Sequence, residues 1–218
     1  MKWKEIKWLM QNELFREWRQ RYALNGILLY TVAAVFIIYL SVRFTEKPAW
    51  NGIFWIILLF SGISAIAKSF LQESRGRMIY YHQMVHPASY IVAKMLYNGI
   101  YMMVINLLCL FVYCLWLGNM ADNLPMFILS SLTGSLGFSA VLTMTSALAS
   151  KAGSGHLLMP VLSIPLLIPL LLVAIKASKK AVDGLQVSLI YQDLGILLAF
   201  FVLIGMLGYI LFPWLWKE

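Results

Sequence analysis

The chain has 218 residues, of which 61% are hydrophobic and only 12% charged, and it carries a formal net charge of +8. Soluble domains carry about 25% charged residues, so an ordinary soluble enzyme is excluded. The basic residues flank apolar runs and form no separate soluble patch, which argues for an orientation signal and attraction to anionic lipid, with no nucleic-acid partner.

A helical span needs about 20 apolar residues. Six runs qualify, at roughly 22–42, 50–67, 95–117, 125–149, 157–175 and 194–214. They lack the period-two alternation of a closed barrel. The expected fold is therefore an all-α integral membrane protein forming one permease-like domain over 1–218: six transmembrane helices behind an N-terminal amphipathic interfacial helix, with no room for a soluble catalytic domain. No cleaved leader is expected, because the first apolar run follows 21 polar and basic residues and has no small-residue cleavage site behind it. With both termini inside, the cytoplasmic segments hold twelve basic residues and the outer segments five. The positive-inside rule favours that orientation.

In chain order, residues 1–21 predict an interfacial helix. Trp3, Ile6, Met10, Leu14 and Trp18 share one face at 100° per residue, with Glu5, Asn12, Arg16 and Arg19 opposite. Trp50 and Trp55 at the start of the second run, Trp116 at the end of the third, and Trp214 and Trp216 at the end of the sixth predict interfacial belts. Residues 68–94 are the longest polar interruption. They hold Glu73, Arg75 and Arg77, the helix breaker Gly76, an amphipathic run with Tyr80, Tyr81 and Met84, and the stop signal Pro87. The segment is expected to be a cytoplasmic coupling helix that docks a soluble partner.

In the third run, Asn106 lies near mid-membrane and must find a partner, most simply an interhelical hydrogen bond. Cys109 and Cys114 stand about 140° apart on a helix and match no redox or zinc spacing. In the fourth run, Ser131, Ser135, Ser139, Thr143 and Ala147 recur every four residues beside Gly134 and Gly137. This small-residue ridge suits close helix packing or a pathway wall. The loop 150–156 lacks the lysine a phosphate loop places after its second glycine. Pro160, Pro165 and Pro169 predict a bent or broken fifth helix, since each removes a backbone donor. Residues 176–193 are expected as a short surface or partly dipping piece.

No zinc motif and no Ser-His-Asp grouping occurs, and no run contains paired carboxylates. All nine acids lie outside the runs or at their ends, whereas ion-coupled carriers keep ionisable groups inside the membrane. That leaves a permease without its own energy source, or a membrane scaffold.

The order of amphipathic helix, six spans and a helical segment after the second resembles the type-2 (ABC-2) exporter permeases. More narrowly, Phe70-Leu71-Gln72-Glu73 with Gly76, Pro87 and Lys94 resembles the haem exporter B (CcmB) family. So do Leu136-Gly137-Phe138 with Ala147-Leu148 and, most specifically, the proline-rich piece from Leu158 to Leu170. The resemblance implies a subunit of the bacterial inner-membrane cytochrome c maturation complex. Its implied partners are a CcmA-like ATPase, CcmC-like and CcmD-like membrane subunits and a CcmE-like haem chaperone. ATP would bind the partner, haem would be handled by the complex, and the chain itself would hold no cofactor or metal. The task implied is haem export or ATP-driven release of the haem-loaded chaperone. A permease for a lipid, drug or polysaccharide, and a non-transporting scaffold, stay open on the residues alone. The implied ATPase-docking residues are Glu73, Arg75, Gly76, Arg77, Tyr80, Tyr81, Met84 and Pro87. His82, His86 and His156 are expected at the surface rather than as haem ligands.

Overall fold

The computed structural model describes residues 3–19, 22–41, 46–66, 70, 81, 84–151 and 155–217. Among these, seven helices are defined: α1 Trp3–Arg19, α2 Tyr22–Ser41, α3 Lys47–Ile66, α4 Pro87–Leu117, α5 Leu124–Lys151, α6 Gly155–Val182 and α7 Val187–Lys217. Five of them, α3 to α7, are long and apolar enough to cross a membrane. The first of the six expected spans corresponds to α2, whose described apolar stretch, Asn25–Ser41, is shorter.

Three boundaries differ from expectation. The third spanning helix starts at Pro87 rather than at 95, because proline at the first helical position lacks only a donor the helix would leave unused there. Residues 176–193 do not form a separate piece. They extend α6 to Val182 and begin α7 at Val187, joined by a tight turn in which Gly184 takes φ 66° against the Asp122 side chain. The helix carrying Pro160, Pro165 and Pro169 is continuous from Gly155 to Val182, which excludes the broken form of the bent or broken helix expected there. Pro165 and Pro169 lie on its exposed side.

The bundle is organised around α5, which packs on α3, α4, α6 and α7. Its small residues permit this. A Cβ at Gly134 would lie 2.5 Å from the Trp55 ring, and one at Gly137 would lie 2.8 Å from Leu170. Ser131, Ser135, Ser139 and Thr143 are fully buried. Hydroxyls along this helix donate to their own backbone carbonyls one turn back, as in Thr143 to Ser139 and Ser139 to Leu136. Polar atoms in an apolar interior are thereby satisfied without water.

The end where α3 begins and α4 finishes is held by polar ties. Trp50 Nε1 donates to the Gly118 carbonyl at 3.2 Å, and Tyr113 donates to the Trp50 carbonyl at 2.8 Å. Trp55 Nε1 donates to Ser178, which itself donates to Asn51 Oδ1. Lys47 binds both carboxylate oxygens of Asp122 at 2.7 Å, and Asp122 and Asn123 donate backbone N–H groups to the last carbonyls of α6. Lys180 pairs with the buried Asp193 at 2.6 Å. Trp50 and Trp55 are fully buried inside the bundle, Trp50 against Tyr113 and Phe127 and Trp55 over Gly134 of α5.

Replacing Gly134 by leucine drives atoms into the Trp55 ring. It is expected to lower stability by about 1–3 kcal/mol, read as thermal unfolding of the detergent-extracted chain. Gly195, with nothing within 4 Å of a built Cβ, is the control; Gly195→Leu should shift stability by no more than about 0.5 kcal/mol downward.

Candidate functional site

The opposite end is built from aromatic rings. Helix α4 opens with Pro87 behind His86, whose backbone is extended at φ −71° and ψ 130° and whose carbonyl accepts from Ser89 and Tyr90 N–H. This start places Tyr90 on the inner side of the first turn, 1% exposed. Its ring is the centre of a cluster. Phe70 lies 5.9 Å away edge-on, Tyr81 5.4 Å, Phe212 5.9 Å in a stacked arrangement, and Trp216 5.0 Å. Ring pairs at such separations add about 0.5–1.5 kcal/mol each beyond the area they bury.

Phe70 and Tyr81 come from either side of the 71–80 stretch, and both dock on the same ring. Two residues eleven apart in sequence thus meet at one ring. Met84, one turn after Tyr81, is 66% exposed.

One turn after Tyr90 on the same face stands Lys94, 1% exposed at its side chain. Its ammonium is 2.9 Å from Glu13 Oε1 on α1, and it lies 5.4 Å from the centroid of Phe70 and 5.8 Å from that of Tyr90. A desolvated ammonium over aromatic faces gains about 2 kcal/mol, and the carboxylate neutralises it. On α1, Ile6 and Leu9 join Glu13 on the buried face, while Trp3 and Leu14 are exposed. Of the face that the apolar periodicity selected on α1, Ile6 and Met10 pack inward, while Trp3 and Leu14 stay exposed. Here α4 supplies the deciding contact, and it selects a charged residue.

The expected site residues divide as follows. Glu73, Arg75, Gly76, Arg77 and Tyr80 lie outside the described residues, as does His82. Tyr81, expected to fill a partner's groove, is buried at 6% exposure in the aromatic cluster. Pro87 starts α4, and Met84 and His86 are at the surface. Asn106 donates to Ser135 at 3.1 Å and Asn98 to Thr143 at 2.9 Å, so the small-residue ridge faces α4. Thr145 and Ser163 join α5 to α6 at 2.7 Å. Pro160 is half-buried on α6, and Pro165 and Pro169 are exposed. No group of three or more metal-ligating side chains occurs among the described residues.

Four residues that matter here escaped the sequence reading in this role: Glu13, Phe70, Tyr90 and Lys94. A signal for Lys94 existed. Counting the helix from Pro87 puts this lysine about two turns inside it, where a charge demands a partner.

Tyr90→Ala removes the shared ring and should cost about 3 kcal/mol of stability. Met84→Ala, at an exposed position, should stay within about 0.5 kcal/mol. Unfolding of the two purified variants in the same detergent gives the comparison.

Compared with known proteins, residues 5–210 match the family model described as CcmB protein. No curated protein matches the chain.

Proposed function

The chain belongs to the CcmB family, whose members are haem-exporter permease components of cytochrome c maturation, and from that premise we propose that it converts ATP hydrolysis on a separate subunit into haem export or into release of a haem-loaded chaperone. The family match over almost the whole chain carries this reading. The chain is a multi-pass membrane permease subunit and not itself an ATPase.

In this reading, α2 supplies a sixth span beside α3 to α7, and both termini face the cytoplasm. The aromatic end of the bundle then faces the ATPase. Glu73, Arg75, Arg77 and Tyr80 make polar and ring contacts to the ATPase, and Met84 is an exposed apolar contact beside them. Phe70 and Tyr81 serve as the two roots of the segment. Force arriving between these roots reaches Tyr90 directly, because both roots bear on its ring. From Tyr90 it passes into α4 and into the Phe212–Trp216 end of α7. CcmC-like and CcmD-like subunits and a CcmE-like chaperone complete the assembly, and haem is the cargo of the complex.

Two measurements test this. In a bacterium deprived of its own copy, the chain should restore covalent haem on c-type cytochromes; restoration of a lipid or polysaccharide export defect instead would assign it another cargo. Arg75→Glu and Arg77→Glu should each reduce ATPase co-purification by at least about tenfold, since placing like charges together at an interface costs several kcal/mol. Wild-type recovery of the ATPase with both variants would remove these arginines from the interface.

A further inference from the structure

We propose that the outward side of α1 binds anionic phospholipid: Lys4 and Lys7 take the headgroup phosphate, and the groove between Trp3, Ile6 and Met10 takes the first carbons of an acyl chain. The site depends on neither the ATPase nor the cargo.

Helix α1 has two unlike sides. Ile6, Leu9 and Glu13 are buried, and this side packs on α4. Trp3, Lys4, Lys7, Trp8, Leu14 and Phe15 are exposed, and at 100° per residue they share an arc of about 140°. Trp3 is 69% exposed and Phe15 75%, so large rings stand uncovered beside two cations. Glu5 and Glu13 lie off this arc.

The neighbours of α1 place that side at a bilayer surface. It packs on the opening turns of α4, a 31-residue helix. Such a helix is about 46 Å long at 1.5 Å per residue, whereas the hydrocarbon core is about 30 Å thick. The ends of α4 therefore stand in the headgroup layers, and the side of α1 turned away from α4 stands there too.

The mixture of residues favours lipid over protein as the cover. Protein interfaces are rich in Trp and Phe but depleted in Lys. Helices that lie on a bilayer combine Trp, Phe and Leu with Lys, whose stem stays with the apolar groups while the ammonium reaches the headgroups.

The charge picks out the kind of lipid. Lys4 and Lys7 are one turn apart, and among the described residues neither makes an ion pair. Beside them runs a groove lined by Trp3, Lys4, Ile6, Lys7 and Met10. Unmatched cations next to an apolar groove fit a ligand that is anionic at one end and apolar at the other. A soluble anion would use the lysines and leave the groove to water.

The test uses the full chain in phosphatidylcholine vesicles containing a minority of phosphatidylglycerol with a photoactivatable diazirine in its acyl chain. Parallel vesicles carry the same diazirine on phosphatidylcholine. After illumination, label is mapped to α1 and, as the reference, to the exposed Met206 and Ile210 of α7. Relative to α7, label on α1 should be at least about tenfold higher from phosphatidylglycerol than from phosphatidylcholine. Lys4→Gln with Lys7→Gln should bring the two probes to within about twofold of each other on α1 and leave the label on α7 unchanged. Both substitutions are at exposed positions, so the chain should fold as before. Lys179→Gln, at an exposed lysine elsewhere, should keep the excess. The proposal is overturned if the wild-type chain shows no phosphatidylglycerol excess on α1, if the excess survives the double substitution, or if Lys179→Gln removes it equally. It is also overturned if α1 takes no label from either probe, which would leave a protein partner as its cover.

Discussion

The architecture depends on the absence of side-chain bulk along one helix. α5 offers glycine and short hydroxyl side chains where a leucine would hold its neighbours apart, and the larger groups of α3, α4 and α6 fill the space. Between apolar helices in a bilayer there is no hydrophobic drive to associate, so close contact and interhelical hydrogen bonds must supply it. Gly134 against Trp55 and Gly137 against Leu170 supply the first. Asn98 to Thr143, Asn106 to Ser135 and Thr145 with Ser163 supply the second. Once α5 is placed, α4, α6 and α7 have little freedom in how they pack around it.

The two ends of the bundle solve the same problem differently. At one end, tryptophan indoles, an asparagine, backbone groups and two ion pairs are laced across α3, α6, α7 and the α4–α5 connection. Directional bonds of that number make a rigid block. At the other end, four aromatic rings surround Tyr90 and one charge pair lies beside them. Rings in edge-on and tilted contact can shift by fractions of an ångström without losing a bond, so the aromatic end is the more compliant of the two.

Much of the fold could be read from the sequence because membrane helices announce themselves through long apolar runs. The small-residue ridge of α5 and the need of Asn106 for a partner were also legible, since both follow from what hydrocarbon will not solvate. The failures were tertiary. The position of Trp50 and Trp55 near the start of an apolar run could not show that residues far along the chain bury them. The periodicity of α1 put Ile6 beside Trp3 and Leu14, yet the helix turns Leu9 and Glu13 inward because Lys94 waits there. Lys94 itself was counted with the flanking cations, because the apolar run was started at residue 95 and the helix-initiating proline was read only as a stop. Tyr81 was assigned to the partner by its place in an amphipathic run, which cannot say which side of that run meets the body.

The shared footing of Phe70 and Tyr81 has a consequence for how freely the stretch between them can vary. Because both anchors rest on one ring, the span that stretch must bridge does not depend on its length. Closing a loop between fixed points costs only about 0.6 kcal/mol more for each doubling of its length. An insertion in the sequence between the anchors is therefore expected to leave the packing of Phe70 and Tyr81 on Tyr90 in place.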